Sequence, residues 1–184
     1  MDAFEEIIAG LFRRQGYWTW QGYKINLSKE QKRNLSNPSM PRPEIDILAY
    51  KPRTNDLLWI ECKSYLDSKG VTYDSFFPPD GVQSRFKIFT NDSYRDTASN
   101  QLKLQLFEEG LVIDEPSLQF GLVAANIYGL SEQDLRTHFN QKGWLLFDPR
   151  WIKKQLQSLS KLGYENDVAI IVAKLFERTI EDAN

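Results

Sequence analysis

The stretch Pro43 to Tyr65, PEIDILAYKPRTNDLLWIECKSY, constrains the fold of this chain more than any other. Two segments rich in β-formers, Ile47-Leu48-Ala49-Tyr50 and Leu57 through Tyr65, flank a polar connection, Lys51 to Asp56, that carries Pro, Asn and Asp. That composition predicts two strands joined as a hairpin. Side chains alternate faces along a strand, so Glu61 and Lys63 point the same way about 7 Å apart, while Ile60 and Cys62 point the other way. Asp46, near the start of the first strand, comes close to Glu61 if the strands pair through that connection. The expectation is two carboxylates and one ammonium in a small space.

On a largely buried strand face two carboxylates repel each other, and one takes up a proton unless a cation sits between them. Mg²⁺ takes oxygen ligands, keeps several waters, and is held by one or two carboxylates plus a substrate phosphate. Asp46 and Glu61, with the Cys62 main-chain carbonyl as a further ligand, form such a donor set, and Mn²⁺ is the natural substitute ion. Lys63 then stands beside the ion, where it can position an attacking water or stabilise charge building on a phosphate. The bland alternative for a Glu-x-Lys on a strand is a solvated face with a weak ion pair. The apolar flanks of Glu61-Cys62-Lys63 point instead to a central strand.

The series Glu5, Asp46 and Glu61-Cys62-Lys63 resembles the PD-(D/E)XK nuclease superfamily. The resemblance implies an α/β, restriction-endonuclease-like fold, a mixed central β-sheet flanked by α-helices. It also implies Mg²⁺-dependent hydrolysis of phosphodiester bonds in DNA, in restriction, repair or recombination. The family's Pro-Asp pair is loosened here to Pro43-Glu44-Ile45-Asp46, so Glu44 and Asp46 are both candidates. Asp46 is the better match, because the family's acid sits directly before an apolar strand run, here Ile47-Leu48-Ala49. In the resolvase-like and type IV restriction-like branches, an acid in the first helix about three turns before a Gly-aromatic pair resembles a third metal or water ligand. Glu5, set against Gly16-Tyr17, fits that spacing. Some branches place a Gln on the helix after Glu-x-Lys, which points to Gln101, although the Tyr expected four residues later is Gln105 here. The alternative function is a non-cleaving nucleic-acid-binding accessory factor with the same fold. A third is an interaction domain whose carboxylates and Lys63 form only ion pairs. Cleavage of both strands needs two sites, which makes a homodimer chemically sensible.

A length of 184 residues with 41% apolar composition suits one compact domain, 1–184. The net charge of −2 gives no global pull toward a polyanion, so nucleic-acid contact has to come from a local basic patch. Basic residues cluster early, at Arg13, Arg14, Lys24, Lys29, Lys32, Arg33 and Arg42, and read equally as solvated surface or as a phosphate track. Cys62 is the only cysteine, which excludes an internal disulfide and suits a reducing compartment. The one histidine, His138, is far off in sequence in what reads as an exposed helix, so a Cys-His nucleophile is disfavoured. No apolar run is long enough to span a bilayer, and the acidic start MDAFEE is unlike a signal peptide. The expectation is a soluble, cytoplasmic protein with no membrane partner.

In chain order, Asp2 to Gln15 predicts a helix with Asp2 as N-cap and Gly16 as its end, and Phe4, Ile7, Ile8, Leu11 and Phe12 as its apolar stripe. At 100° per residue Glu5 borders that stripe and Glu6 shares the outer sector with Arg13. A first-turn Glu also complements the helix dipole, so either acid has a plain structural use. Tyr17 to Leu27 reads as a strand and residues 28–43 as a loop, whose Lys29, Lys32, Arg33 and Arg42 are candidate substrate contacts or ordinary solvated surface. Residues 66–91 interleave Tyr73, Phe76, Phe77, Phe86 and Phe89 with Arg85 and Lys87. Such a mix fits either base stacking with phosphate contacts or a satellite apolar cluster that pins the loop. A helix is expected from Asn91 or Asp92 to Glu109, and a buried strand from Ser117 to Asn126. A short helix with a Ser131-x-x-Asp134 box should then end at Gly143. After it come a strand at 144–147 and a helix opened by Asp148-Pro149. The last helix is expected from Asn166 to Glu181, with Val168, Ile171, Val172, Leu175 and Phe176 inward.

Overall fold

The computed structural model describes residues 2–79, 82, 84–163, 165 and 167–181. Its order is α1 (Ala3–Arg14), β1 (Trp18–Lys24), α2 (Lys29–Asn34), β2 (Glu44–Lys51), β3 (Asp56–Lys63), α3 (Lys87–Thr90) and α4 (Asp92–Glu108). Then follow β4 (Ser117–Ala124), α5 (Glu132–Lys142), β5 (Leu145–Phe147), α6 (Pro149–Ser160) and α7 (Val168–Glu181). The five strands form one sheet in the order β1-β2-β3-β4-β5, antiparallel across the first two pairs and parallel across the last two. The fold is therefore α/β with a mixed sheet flanked by helices, as the sequence predicts.

The period-2 pattern of β2 and β3 feeds two cores. Ile47, Ala49, Leu58, Ile60 and Cys62 pack with Ile8, Leu11 and Phe12 of α1 and with Ile152 and Ile170 of α6 and α7. Leu48, Tyr50, Leu57 and Trp59 pack on the other face with Leu102 and Leu106 of α4 and Leu135 and Phe139 of α5. The strand carrying Glu61 and Lys63 is thus central, covered on both faces and paired on both edges. At Gly121 of β4 the packing leaves no room for a side chain: a Cβ there would sit 2.6 Å from Ile60 Cδ1 and 3.0 Å from a Phe147 ring carbon.

Several local expectations are corrected. Residues 28–43 are not all loop, because Ser28 and Gln31 form a reciprocal capping box that starts α2. The Ser131 box does not form: Ser131 ends a 3₁₀ turn in helical conformation, so its side chain does not cap α5. In the last helix Val168 and Leu175 are 72% and 60% exposed, and the inward face is Ala169, Ile170 and Ala173. The small alanines let α7 lie close against the α1 and α6 layer, which rotates the larger residues outward. Asp167 caps it, accepting from the Ala169 and Ile170 N–H groups; Asn166, the expected start, and the Phe176 side chain lie outside the described residues. His138 is half-buried rather than on the surface, with its ring against Tyr73, Phe77 and Trp144. Burial and then the nearby Lys142 hold its pKa below the usual value. The same cluster buries Phe76, Phe86 and Phe89, so these aromatics of the 66–91 stretch pin the loop. Among the described residues no helix is long and apolar enough to cross a membrane.

The close approach at Gly121 predicts that Gly121→Val forces Ile60 and Phe147 aside and costs about 2 kcal/mol of stability. A thermal melt should show a fall in Tm of roughly 4–8 °C for a chain of this size. An unchanged Tm would mean that β3 and β4 are not packed this closely.

Candidate metal and phosphate site

The antiparallel ladder between β2 and β3 runs from Lys51↔Asp56 to Ile47↔Ile60 and stops there, whereas β3 stays paired with β4 as far as Lys63↔Ala124. One residue beyond the last β2–β3 pair stand Asp46 and Glu61. Here the Asp46 side chain replaces the partner strand, its Oδ2 accepting from the Cys62 N–H at 2.7 Å. A buried amide left without a partner is costly, so this bond allows the two strands to part without an orphaned donor.

Lys63 reaches back into the opening. Its Nζ lies 3.4 Å from Asp46 Oδ2 and 3.6 Å from Glu61 Oε2, and donates to the Cys62 carbonyl at 2.9 Å. The three side chains are 24%, 15% and 19% exposed for Asp46, Glu61 and Lys63. Glu61 is fixed from below by the fully buried Trp59, whose indole N–H donates to Oε1 at 3.2 Å. Burial, and then the Asp46 charge, push the Glu61 carboxyl up to about 7, against the pull of Lys63 and Trp59. Burial opposes the charge on Lys63, but Asp46 and Glu61 outweigh it and raise its pKa.

Glu5 stands on α1, in the helical layer that packs on the opposite face of the sheet. Its carboxyl is raised by burial and then by Asp46, while Lys63 pulls the other way, which places it within the field of the cluster. Glu6 points outward to Arg13, as the helical geometry predicts. Three carboxylates against one ammonium leave a formal charge of −2 when all are ionised, in a half-buried space. Among the described residues no group of three or more His, Cys, Asp or Glu side chains forms a dedicated metal cage. The oxygens that could hold a partly hydrated Mg²⁺ are those of the two carboxylates and of the Cys62 carbonyl, which here accepts from Lys63.

A cavity of about 260 Å³ opens beside Glu61, lined by Glu44, Arg85, Lys87, Ile88 and Tyr94. Arg85 and Lys87 thus stand at the site. Lys29, Lys32 and Arg33 lie on α2, and Leu35 to Asn37 just beyond its end border a neighbouring cavity. Arg42 donates to Asn26 at 3.3 Å. Gln101 is engaged with the Gln31 side chain at 3.0 Å and does not line the Glu61 cavity. Gln105 is a structural amide: it accepts from the Asn26 N–H and donates to the Tyr23 hydroxyl and the Lys24 carbonyl, so it fastens α4 to the end of β1. Glu44, the other candidate acid, pairs with Lys24 at 3.4 Å.

Two residues of the site were missed from sequence. Trp59 was within reach, since it precedes Glu61 by two positions and so shares its face. Tyr94 had no such signal, because it arrives from a helix some thirty residues later; burial, and then Glu61, push its hydroxyl up to about 12.

Comparison with family models and with curated proteins returns no match. Among solved structures, the crystal structure of a protein of unknown function, AF1548, is similar over 88% of this chain and 71% of that chain. Its sequence identity is 13% and its TM-score 0.43, a likeness that carries no argument about chemistry.

The raised Glu61 pKa makes a signed prediction. Folding favours the protonated acid, so its contribution to stability is full below the unfolded value of 4.5 and is lost as pH rises through about 7. In thermal melts in EDTA, the wild-type Tm should fall relative to that of Glu61→Gln across this window. A constant difference between the two proteins would show that Glu61 is not held in this environment.

Proposed function

We propose that the chain is a Mg²⁺-dependent deoxyribonuclease of the restriction-endonuclease-like kind. The observation that carries this reading is the meeting of Asp46, Glu61 and Lys63 within 4 Å contacts at the parted end of β2 and β3. Asp46 and Glu61, with the Cys62 carbonyl, are the groups that would hold the ion, and Mn²⁺ would serve in its place. The ion's chemistry there is Lewis-acid polarisation of a phosphate oxygen and a lowered pKa for a bound water.

The residues of the chain then have distinct tasks. Trp59 holds one Glu61 oxygen, leaving the other toward Lys63. Glu5 either adds an oxygen ligand or orients the attacking water, whose proton its raised pKa suits it to accept. Lys63 stays charged and sits where negative charge builds on the phosphate. Arg85 and Lys87 neutralise the flanking backbone, and Lys29, Lys32, Arg33 and Arg42 extend the basic surface beyond them.

The test is cleavage of labelled DNA in Mg²⁺. Asp46→Asn, which keeps an oxygen for the Cys62 N–H, together with Glu61→Gln and Lys63→Ala, should each lower the rate by about 10²–10³. Mn²⁺ should raise the wild-type Tm and leave that of Asp46→Asn nearly unmoved. A wild-type rate in Lys63→Ala or Asp46→Asn would overturn the assignment, and DNA bound but never cut by the wild type would favour the accessory-factor reading.

A further inference from the structure

One neutral donor on the wall of the cavity beside Glu61 is unspent. Glu44 is paired there with Lys24, and Glu61 with Lys63 and Trp59. The Ser84 hydroxyl donates to the Ser75 carbonyl and accepts from the Phe86 N–H. The Tyr94 hydroxyl lines the same cavity and makes no hydrogen bond with any described residue. A half-buried phenol ordinarily finds a partner for its O–H.

The side chain is nonetheless firmly placed. Tyr94 stands in the first turn of α4, whose N-cap Asn91 accepts from its N–H at 2.8 Å. The next residue, Arg95, donates to the Ile88 carbonyl at 3.2 Å and lies over the Trp144 ring, which fastens this turn to its neighbours. The Tyr94 ring packs against the core on the α4 face of the sheet.

We propose that the Tyr94 hydroxyl donates to the leaving oxygen of the cleaved phosphodiester and acts as the acid of the reaction. This rests on the nuclease reading above and adds to it the group that serves the departing strand end. The side of the site on which Tyr94 stands supports the role. Asp46 and Lys63 act on the Glu5 carboxyl, whereas Glu61 acts on Tyr94. Glu5 is on α1 and Tyr94 on α4, and the two helices belong to layers that cover opposite faces of the sheet. In an in-line displacement the attacking and leaving oxygens lie on opposite sides of phosphorus. With the water on the Glu5 side, the leaving oxygen is on the Tyr94 side. The water oxygen bonds to phosphorus and gives a proton to Glu5, the bond to the leaving oxygen breaks with its electron pair, and that oxygen takes the Tyr94 proton, which solvent replaces. A phenol holds its proton at neutral pH, so the acid is in its donor form; burial, and then the Glu61 charge, favour that form further.

The test is the cleavage rate of wild type, Tyr94→Phe and Lys87→Gln on two versions of one DNA substrate in Mg²⁺. One is the ordinary phosphodiester, and the other carries sulfur in place of the bridging oxygen that product analysis shows to leave. A thiol pKa of about 8.5 lets a thiolate depart without a proton. Tyr94→Phe should cut the ordinary substrate about 10²-fold more slowly than wild type and the sulfur-bridged one at the wild-type rate. Lys87→Gln, which loses a contact to the flanking backbone, should be slowed equally on both. The Tm of Tyr94→Phe should match that of wild type, because its hydroxyl has no partner to lose, and full activity on the sulfur-bridged substrate would show its site intact. A wild-type rate for Tyr94→Phe on the ordinary substrate, an equal loss on both substrates, or a loss relieved by sulfur in Lys87→Gln instead would overturn the proposal and leave the nuclease standing. A wild type that cuts neither substrate in Mg²⁺ or Mn²⁺ would remove both.

Discussion

The bond from the Cys62 N–H to the Asp46 carboxylate is the interaction on which the site depends. Two antiparallel strands can part inside a covered sheet only if the freed main-chain donors find other acceptors. Asp46 supplies one at 2.7 Å, at the position where the β2–β3 ladder ends. The parting sets Asp46 and Glu61 around an opening instead of in close cross-strand contact, and lets the Lys63 amine fold back to the Cys62 carbonyl. Because β3 stays paired with β4 throughout, the opening is rigid on one side. The residues that gather there come from both layers: Glu5 from the α1 side, Tyr94 and the Arg85–Lys87 segment from the α4 side.

Electrostatics completes the account. A half-buried group of three acids and one amine is short of positive charge, and burial first, then the Asp46 charge, raises the carboxyl pKa values of Glu5 and Glu61. A chain built only for stability would gain by replacing such a cluster with apolar residues, since buried charges rarely repay their desolvation. These groups sit instead on the central strands, one of them hydrogen-bonded by the fully buried Trp59, and shifted acids in a recess are what the proposed chemistry requires.

Much of this was legible in the sequence, for definable reasons. The hairpin and the approach of Asp46 to Glu61 follow from period-2 alternation and a short connection, both local quantities. The separation of Glu5 from Glu6 follows from the 100° helical step. Readings failed where a distant partner decides. The inward face of α7 is set by how closely Ala169 and Ala173 let it approach its neighbours, which outweighed the larger Val168 and Leu175. His138 is drawn inward by aromatics from residues 73–77 that no periodicity links to it. The α2 helix was different: its signal, Ser28-x-x-Gln31, was local and plain, and was masked by the prolines and polar residues around it. Gln101 fits a spacing pattern but is engaged with Gln31, because α2 packs where a loop was expected.

The central claim is that the parted end of the hairpin is shaped for a divalent ion. It is tested most directly by the anomalous difference density of a crystal soaked in Mn²⁺. The account predicts one strong peak bounded by the Asp46 and Glu61 carboxylates and the Cys62 carbonyl. A saturating soak that leaves this place without a peak, or with Lys63 still filling it, would contradict the account.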